Sequence, residues 1–298
     1  MFAEGHLLIE GVPGLGKTQL VNTLAAVAGV HSNRIQFTPD LMPADIVGTQ
    51  VLVTDESGGR SFRFAEGPVF TSLLLADEIN RATPKTQSAL LEAMQERQVT
   101  AGGQTRALPR PFLVLATQNP IEQEGTYPLP EAQLDRFLLK SLVGMPSAEE
   151  LTEIVDRTTG SSTAQLQVVT DSAQIAAMIA LTRSVPVPSH VTRYAVDLVL
   201  GTHPGPSSPE MVQRYVRFGS SPRGAQALLL AAKVTALLDG RPSVSAEDVR
   251  AVAFGALRHR VGLGYEAAVD SVSAESVVEN LLSSVKPGSS DSAGSPKG

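Results

Sequence analysis

The strongest structural signal in this chain is a glycine-rich segment between a strand-like stretch, residues 7–10, and a helical pattern, residues 19–28. The segment reads Gly11-Val12-Pro13-Gly14-Leu15-Gly16-Lys17-Thr18. Its spacing is that of a phosphate-binding loop between a strand and a helix. Glycines let backbone N–H groups turn inward around phosphates, and the N-terminus of the following helix adds positive potential. A glycine-rich turn without a ligand is the alternative, which the flanking strand and helix disfavour.

The residue types in this loop predict separate roles. Lys17 has the position of the lysine that reaches the β- and γ-phosphates of a nucleotide. Thr18 has the position of the residue whose hydroxyl binds Mg²⁺. Residues 11–18 are therefore the candidate nucleotide-binding residues, and ATP and Mg²⁺ are the expected ligands.

A second apolar run, residues 72–76, ends in the two acidic residues Asp77 and Glu78. This pattern is typical of a Walker B motif, in which Asp77 would hold Mg²⁺ through its water shell. Glu78 would orient and polarise the attacking water as a general base. A solvated acidic turn is the alternative, which the phosphate-binding loop in the same chain disfavours.

A third apolar run, residues 112–116, leads into the polar segment Thr117-Gln118-Asn119-Pro120. Ligands of open α/β sheets bind beyond the carboxyl ends of the strands, so a polar side chain here would lie beside the γ-phosphate. We assign to Asn119 a role in positioning the attacking water. An asparagine that begins a turn before a proline is the common alternative.

The patterning divides the chain into three zones. Residues 1–145 alternate apolar runs with turns and helical patterns, which predicts an α/β fold around a parallel sheet. Residues 146–283 contain consecutive amphipathic helical patterns with N-cap signals at Ser147 and Ser245, and predict an all-α domain. Residues 284–298 are rich in Ser, Gly and Pro, and we expect a disordered tail.

Two glycine pairs predict β-hairpins inserted into the first zone. Glycines 58–59 lie within residues 50–64, and glycines 102–103 lie within residues 98–108. Paired glycines accept the positive φ angles that tight hairpins need. Both hairpins interrupt the α/β alternation, so we expect them to project from the layered core.

Composition excludes several classes of protein. The absence of Cys excludes disulfides and thiolate metal sites. No apolar run approaches the roughly 20 residues that span a bilayer, and no basic segment precedes an apolar one at the N-terminus, so we expect a cytoplasmic protein. The net charge of -6 disfavours general nucleic-acid binding. Three scattered histidines are interpreted as surface or cap residues: His190, His203 and His259.

Five ordered motifs within residues 5–263 resemble the MoxR-type AAA+ ATPases. They are the phosphate-binding loop, Leu-Leu-Ala-Asp-Glu-Ile-Asn-Arg-Ala, Ala-Thr-Gln-Asn-Pro, Leu-Pro-Glu-Ala-Gln-Leu-Asp-Arg-Phe and Gly-Ser-Ser-Pro-Arg-Gly. The resemblance implies that residues 11–18 form the Walker A motif and that Asp77 and Glu78 form the Walker B motif. It also implies that Asn119 is the sensor 1 residue. It also implies a P-loop AAA+ core with two hairpin insertions, followed by an all-α lid.

The resemblance further implies roles for two arginines. Arg136 matches the arginine finger, which acts on the nucleotide of a neighbouring subunit, and Arg223 matches sensor 2 on the lid. A guanidinium offers paired donors to the charge that spreads over the γ-phosphoryl oxygens in the transition state. Without the flanking motifs, each arginine would be interpreted as half of a surface ion pair. Gln36, on the expected second strand, is a candidate for coupling Glu78 to a client.

The function that the resemblance implies is that of a chaperone-type ATPase, which hydrolyses ATP and remodels protein clients. Complex assembly and metal-cofactor insertion are the expected tasks, with a von Willebrand factor A domain protein as a partner. A homo-oligomeric ring is expected, with six subunits and the hairpins near its pore. Because ten residues precede Gly11, and related modules carry a further α/β stretch there that helps hold adenine, we expect an N-terminally short core.

The sequence leaves three other functions open. A P-loop phosphotransferase needs no residue that activates water, so Glu78 disfavours it. A nucleic-acid-associated AAA+ motor needs a basic channel or an appended DNA-binding domain, and the acidic net charge disfavours it. A module that binds nucleotide without hydrolysis is the third.

Overall fold

The computed structural model describes residues 1–12, 14–54, 58–119, 125–160 and 165–288. The strands are β1 Leu7–Gly11, β2 Ser32–Gln36, β3 Gly48–Thr54, β4 Arg60–Glu66, β5 Leu73–Asp77, β6 Gln98–Ala101, β7 Gln104–Ala107, β8 Leu113–Gln118, β9 Leu139–Val143, β10 Val216–Phe218 and β11 Gly262–Leu263. The helices are α1 Lys17–Ala28, α2 Pro43–Val47, α3 Pro84–Glu96, α4 Glu131–Leu134, α5 Ala148–Thr159, α6 Ser172–Ser184, α7 Ser189–Gly201, α8 Glu210–Tyr215, α9 Pro222–Leu238, α10 Ala246–Leu257, α11 Tyr265–Val269 and α12 Ala274–Ser284. A 3₁₀ turn, Ile79–Arg81, follows β5.

The chain divides into two compact units, each made of separate stretches of sequence. The nucleotide unit, as we call it, comprises His6–Leu129 and Ser141–Ala177. The helical unit comprises Met1–Gly5, Pro130–Lys140 and the described chain from Met178 onward. These units, which are defined by packing, have other boundaries than the three zones defined by sequence patterns. The division into residues 1–145, 146–283 and 284–298 stays a prediction about domains.

A five-stranded sheet with the order β2-β5-β8-β1-β9 forms the α/β core. The pairs β2–β5, β5–β8 and β8–β1 are parallel. Leu73, Leu74 and Leu75 on β5 are buried, because strands cover both sides of β5 and the sheet faces are packed. The three strands expected from apolar runs are confirmed as β1, β5 and β8. The edge strand β9 was not predicted, because Lys140 and Ser141 interrupt its apolar residues and it has no continuous apolar run.

Both predicted hairpins are confirmed as separate antiparallel ladders. β3 pairs with β4 from Gly48 opposite Glu66 to Thr54 opposite Arg60, and β6 pairs with β7. The two hairpins also touch each other. The guanidinium carbon of Arg106 lies 3.9 Å from the centroid of the Phe64 ring, which is a cation–π contact.

The helical unit has a core of its own. Its buried cluster lies between α7, α9, α10 and α12 and includes Tyr194, Leu198, Leu228, Leu257 and Leu282. The predicted helical lid is confirmed, and it carries in addition a short antiparallel ladder of β10 and β11. No helix in the described part of the chain is long and apolar enough to cross a membrane.

Two details of the helices bear on the sequence predictions. The hydroxyls of Ser147 and Ser245 accept the backbone N–H groups of Glu150 and Asp248, which confirms both predicted N-caps. Helix α12 includes Ser284, the first residue of the predicted tail. Residues 289–298 of that tail lie outside the described residues.

Candidate nucleotide-binding site

A cleft of about 250 Å³ in the nucleotide unit lies at the carboxyl ends of β1, β5 and β8. It is lined by Gly11, Gly14, Leu15, Gly16, Lys17, Thr18, Arg34, Gln36, Asp77, Glu78, Thr117 and Asn119. The structure therefore brings together the predicted loop, the predicted acidic pair and the predicted asparagine. Among the other loop residues, Val12 does not line the cleft, and Pro13 lies outside the described residues.

The glycine-rich loop leaves its backbone open toward a ligand. Gly14 and Gly16 have φ angles of 84° and 73°, and a Cβ built on either would meet nothing within 4 Å. Gly16 is the N-cap of α1, and no side chain caps the helix there. The first N–H groups of α1 thus lack the usual side-chain acceptor, which is the arrangement that binds anions at helix N-termini. Nζ of Lys17 donates to the carbonyl of Gly11 at 2.7 Å.

Asp77 is the last residue of β5, and both of its carboxylate oxygens accept hydrogen bonds. Oδ1 accepts from Oγ1 of Thr117 at 2.6 Å, and Oδ2 accepts from Nη2 of Arg34 at 2.7 Å. The same Oδ2 lies 3.2 Å from Nε of Arg34. The carboxylate is therefore held by one neutral donor from β8 and one cation from β2.

Glu78 adopts a left-handed backbone conformation with φ of 57°, which is uncommon for a residue with a side chain. Its N–H donates to Oγ1 of Thr117 at 2.8 Å. Its Oε2 accepts from Nε2 of Gln36 at 2.9 Å and from Nη1 of Arg81 at 3.0 Å. Backbone strain at a site of this kind persists only where surrounding contacts hold it, and these bonds do so here.

Two residues in the cleft were missed by sequence analysis. Thr117 is buried and bonds to both acidic residues, but a threonine that ends an apolar run carries no distinctive signal. Arg34 carried a usable signal, because it lies two residues before the candidate Gln36. Residues two apart on a strand share a face, so both side chains point toward the same site. Nη2 of Arg34 donates to Oε1 of Gln36 at 2.7 Å.

Asn119 is buried at the end of β8 and lines the cleft. Its backbone carbonyl is 3.5 Å from Nδ2 of Asn80, which follows β5 on the 3₁₀ turn. Asn80 and Asn119 thus tie together the segments that leave the two central strands.

The two predicted arginines belong to the helical unit. Arg136 is half-buried in the segment after α4, and Arg223 is exposed at the second position of α9. Nη1 of Arg223 lies 3.6 Å from Oδ2 of Asp135, the residue before Arg136. The structure therefore brings Arg223 to the aspartate that precedes Arg136 in sequence, and the action of both arginines on a nucleotide stays a prediction.

The chain matches two family models and several known proteins over most of its length. Residues 6–139 match the ATPase family associated with various cellular activities (AAA), and residues 209–281 match the AAA lid domain. The chain is 46% identical to Chaperone MoxR1 of Mycobacterium tuberculosis over 96% of its own length and 75% of that protein. It is 33% identical to Protein MoxR of Methylorubrum extorquens over 88% of its own length and 80% of that protein.

A solved structure gives the same assignment. The crystal structure of a protein assigned as an ATPase from Cytophaga hutchinsonii matches with a TM-score of 0.88 and 42% identity, over 96% of this chain and 86% of that one. Sequence, family models and fold agree, and the chain belongs to the MoxR-type AAA+ ATPases.

Proposed function

We propose that this chain binds ATP with Mg²⁺, hydrolyses it, and uses the cycle to remodel protein clients. The observation that carries the proposal is the convergence of the phosphate-binding loop, the Asp77–Glu78 pair and Asn119 on one cleft. A phosphate-binding loop alone would support nucleotide binding. The acidic pair at the end of β5, two strands away from β1 in the sheet, adds the groups that hydrolysis requires.

The loop fits a triphosphate. Open space at Gly14 and Gly16 leaves the backbone accessible, and the uncapped start of α1 supplies N–H donors. The amine of Lys17, which donates to the carbonyl of Gly11 at 2.7 Å, would exchange that acceptor for phosphate oxygens. The fit supports the binding of a nucleotide through its phosphates.

The acidic pair and Thr18 fit a hydrated Mg²⁺ and a water nucleophile. Thr18 and Asp77 both line the cleft, and hydroxyl and carboxylate oxygens are the ligands that Mg²⁺ prefers. When bound, the ion neutralises charge on the phosphate oxygens. Glu78 would accept a proton from the attacking water, and Asn119 would help to orient that water.

Arg136 and Arg223 would stabilise the charge on the γ-phosphoryl group. Arginine fingers increase phosphoryl-transfer rates by roughly 10³–10⁵-fold. Because Arg136 is proposed to act on a neighbour's nucleotide, the active form would be a homo-oligomeric ring, for which we propose six subunits. Arg223 would act on the nucleotide bound by its own chain.

The β3–β4 hairpin is a candidate surface for the client. Leu52 and Phe62 are 54% and 73% exposed, although both are apolar. Exposed apolar patches commonly mark protein–protein contacts. The name of the relative Chaperone MoxR1 supports a protein client as well. We propose that the cytoplasmic ring acts in complex assembly or metal-cofactor insertion with a von Willebrand factor A domain protein.

Phosphate release without any added acceptor tests this function. The wild type should release phosphate, whereas Glu78→Gln should bind a slowly hydrolysed ATP analogue and release phosphate about 10²–10⁴-fold more slowly. The control Glu92→Gln removes an exposed carboxylate from α3 and should behave as wild type. Normal turnover by Glu78→Gln would exclude the role of Glu78, and wild-type turnover only with an added acceptor would indicate a phosphotransferase.

Mixing subunits tests the proposed action across the ring. Arg136→Ala should bind the nucleotide analogue and lose phosphate release when it is alone. Mixed with Glu78→Gln, it should regain part of the rate, because some interfaces then pair an intact Arg136 with an intact Glu78. Normal phosphate release by Arg136→Ala alone would contradict the cross-subunit role.

A further inference from the structure

Arg260 is buried beyond the end of α10, with 5% of its surface exposed, and its guanidinium is fully hydrogen-bonded. Nε donates to Oδ1 of Asp135 at 2.9 Å. The two terminal nitrogens donate to the backbone carbonyls of Asp135 at 3.1 Å, Phe137 at 2.6 Å and Leu138 at 3.2 Å, and to that of Ala256. Three of these four carbonyls belong to the turn that carries Arg136.

Asp135 extends this network to the start of α9. Its Oδ2 accepts from Oγ of Ser221 at 2.8 Å, and Nη1 of Arg223 lies 3.6 Å from the same oxygen. Ser221 is the N-cap of α9, and its hydroxyl accepts the N–H of Arg223 at 3.1 Å. A continuous set of polar contacts thus runs from Arg260 through Asp135 and Ser221 to Arg223.

Two neighbours of Arg260 restrict how this network can move. Nε2 of the buried His259 donates to the carbonyl of Phe137 at 3.1 Å, so the turn after Arg136 is held a second time. A Cβ on Gly224, in the first turn of α9, would lie 2.0 Å from Oγ of Ser220 and 3.3 Å from Cδ of Arg260. The absence of a side chain at Gly224 therefore lets α9 approach Arg260 closely.

Stability alone is a weak explanation for this arrangement. Burying an ion pair costs desolvation free energy, and well-packed apolar residues often stabilise a core as well or better. A guanidinium has five N–H donors in a rigid plane, so it fixes the geometry of the carbonyls that it binds. Here those carbonyls belong mainly to the turn around Arg136.

We propose that Arg260 and Asp135 are a positioning pair that holds Arg136 and Arg223 in one fixed relative orientation. The inference rests on the proposed function of those two arginines. A change sensed by Arg223 at the nucleotide of its own subunit is then passed to Arg136, which acts on the next subunit. The pair couples the two arginines within one chain.

Spin labels test the positioning directly and need no ATP turnover. The chain has no Cys, so Arg136→Cys and Arg223→Cys each provide a single labelling site. Adding Asp135→Asn should raise the mobility of the label at both positions. The control Asp248→Asn alters a different ion pair of the helical unit, between the buried Asp248 and Arg241, and should change neither label. Unchanged mobility at either position in the Asp135→Asn protein overturns the proposal.

Kinetics with the native arginines provide the second readout. Arg260→Lys keeps the positive charge, but the three N–H donors of an ammonium group are too few for the four carbonyls that Arg260 binds. Asp135→Asn keeps the shape of the side chain and loses its negative charge. Both should lower phosphate release at least about tenfold and keep the Kd of the nucleotide analogue within about threefold. Asp248→Asn should keep the wild-type rate per folded molecule.

The outcomes separate the inference from the proposed function. Wild-type phosphate release by both Arg260→Lys and Asp135→Asn overturns the positioning role. If the wild type itself releases no phosphate, the proposed function fails, and the label mobilities still decide whether Asp135 holds Arg136 and Arg223 together.

Discussion

The guanidinium of Arg34 lies on the carboxylate of Asp77, with Nη2 2.7 Å from Oδ2. The parallel register pairs Arg34 with Leu75 and Gln36 with Asp77, so Arg34 and Gln36 reach the acidic pair from the same face of β2. A side-chain cation therefore contacts one carboxylate oxygen of Asp77, the residue that we propose to hold hydrated Mg²⁺.

Arg34→Gln should lower the Mg²⁺ concentration needed for half-maximal nucleotide binding, because it removes a competing cation from Asp77. The side chain of Arg34 is 49% exposed, and exposed ion pairs contribute about 0.2–1 kcal/mol, so we expect a shift of roughly up to fivefold. Nucleotide binding titrated against Mg²⁺ measures it, with Arg63→Gln on the exposed hairpin as the control. An increased requirement for Mg²⁺ would show that Arg34 assists the ion instead.

Thr117→Val should destabilise the fold by about 1–3 kcal/mol, because it removes a buried hydroxyl and leaves the N–H of Glu78 and one oxygen of Asp77 without that partner. Denaturant unfolding measures the change in the free energy of unfolding. Thr100→Val is the matched control, since the hydroxyl of Thr100 is exposed and lies 3.2 Å from that of Thr105 in the β6–β7 hairpin. Equal effects of the two substitutions would contradict the role of Thr117.

Asp248→Asn should destabilise the protein at neutral pH by about 1–3 kcal/mol. The hydrogen bond from Arg241, at 2.6 Å, lowers the pKa of the Asp248 carboxyl below its ordinary value of 3.8. The ion pair therefore contributes fully above that value, and its contribution is lost as the pH falls through the lowered pKa. Unfolding measured from pH 7 to pH 2 should show wild type and variant converging in acid. A difference independent of pH would contradict the prediction.

His259→Gln should reduce the loss of stability in mild acid. Burial, followed by the charge of Arg260, lowers the pKa of the His259 imidazole from 6.5 to about 3. Between these values the unfolded chain binds a proton and the folded chain does not, so stability falls as the pH falls, by at most about 1.4 kcal/mol per pH unit. The amide of the introduced glutamine would offer an N–H donor to the carbonyl of Phe137 without titrating. Unfolding between pH 7 and pH 4 measures the difference, and identical slopes would contradict it.

Sequence patterns predicted those features that depend on neighbours in the chain. The spacing of residues 11–18 predicted the loop, and the apolar runs before Asp77 and Asn119 predicted the central strands. Parallel strands with a common direction end at the same edge, so these motifs were expected to meet. Paired glycines predicted both hairpins, because positive φ angles are a local requirement.

Other features required the folded chain. His259 was predicted to be a surface or cap residue, and it is buried against the carbonyl of Phe137, 122 residues away in sequence. Arg260 lies three residues beyond the end of α10 at Leu257, and its Nε donates to Asp135, 125 residues away in sequence. Nothing in the sequence around His259 and Arg260 indicates that the segment after α4 packs on them.

Local patterns of residues are enough to predict the phosphate-binding loop, the acidic pair and the helix caps, because each depends on residues a few positions apart. The side-chain partners of the polar groups depend on the fold instead: Arg34 on Asp77, Thr117 between Asp77 and Glu78, and Arg260 on Asp135. These partners are separated by 39 to 125 residues in sequence. A contact at such a separation depends on how strands and helices pack, which the local pattern of residues does not specify.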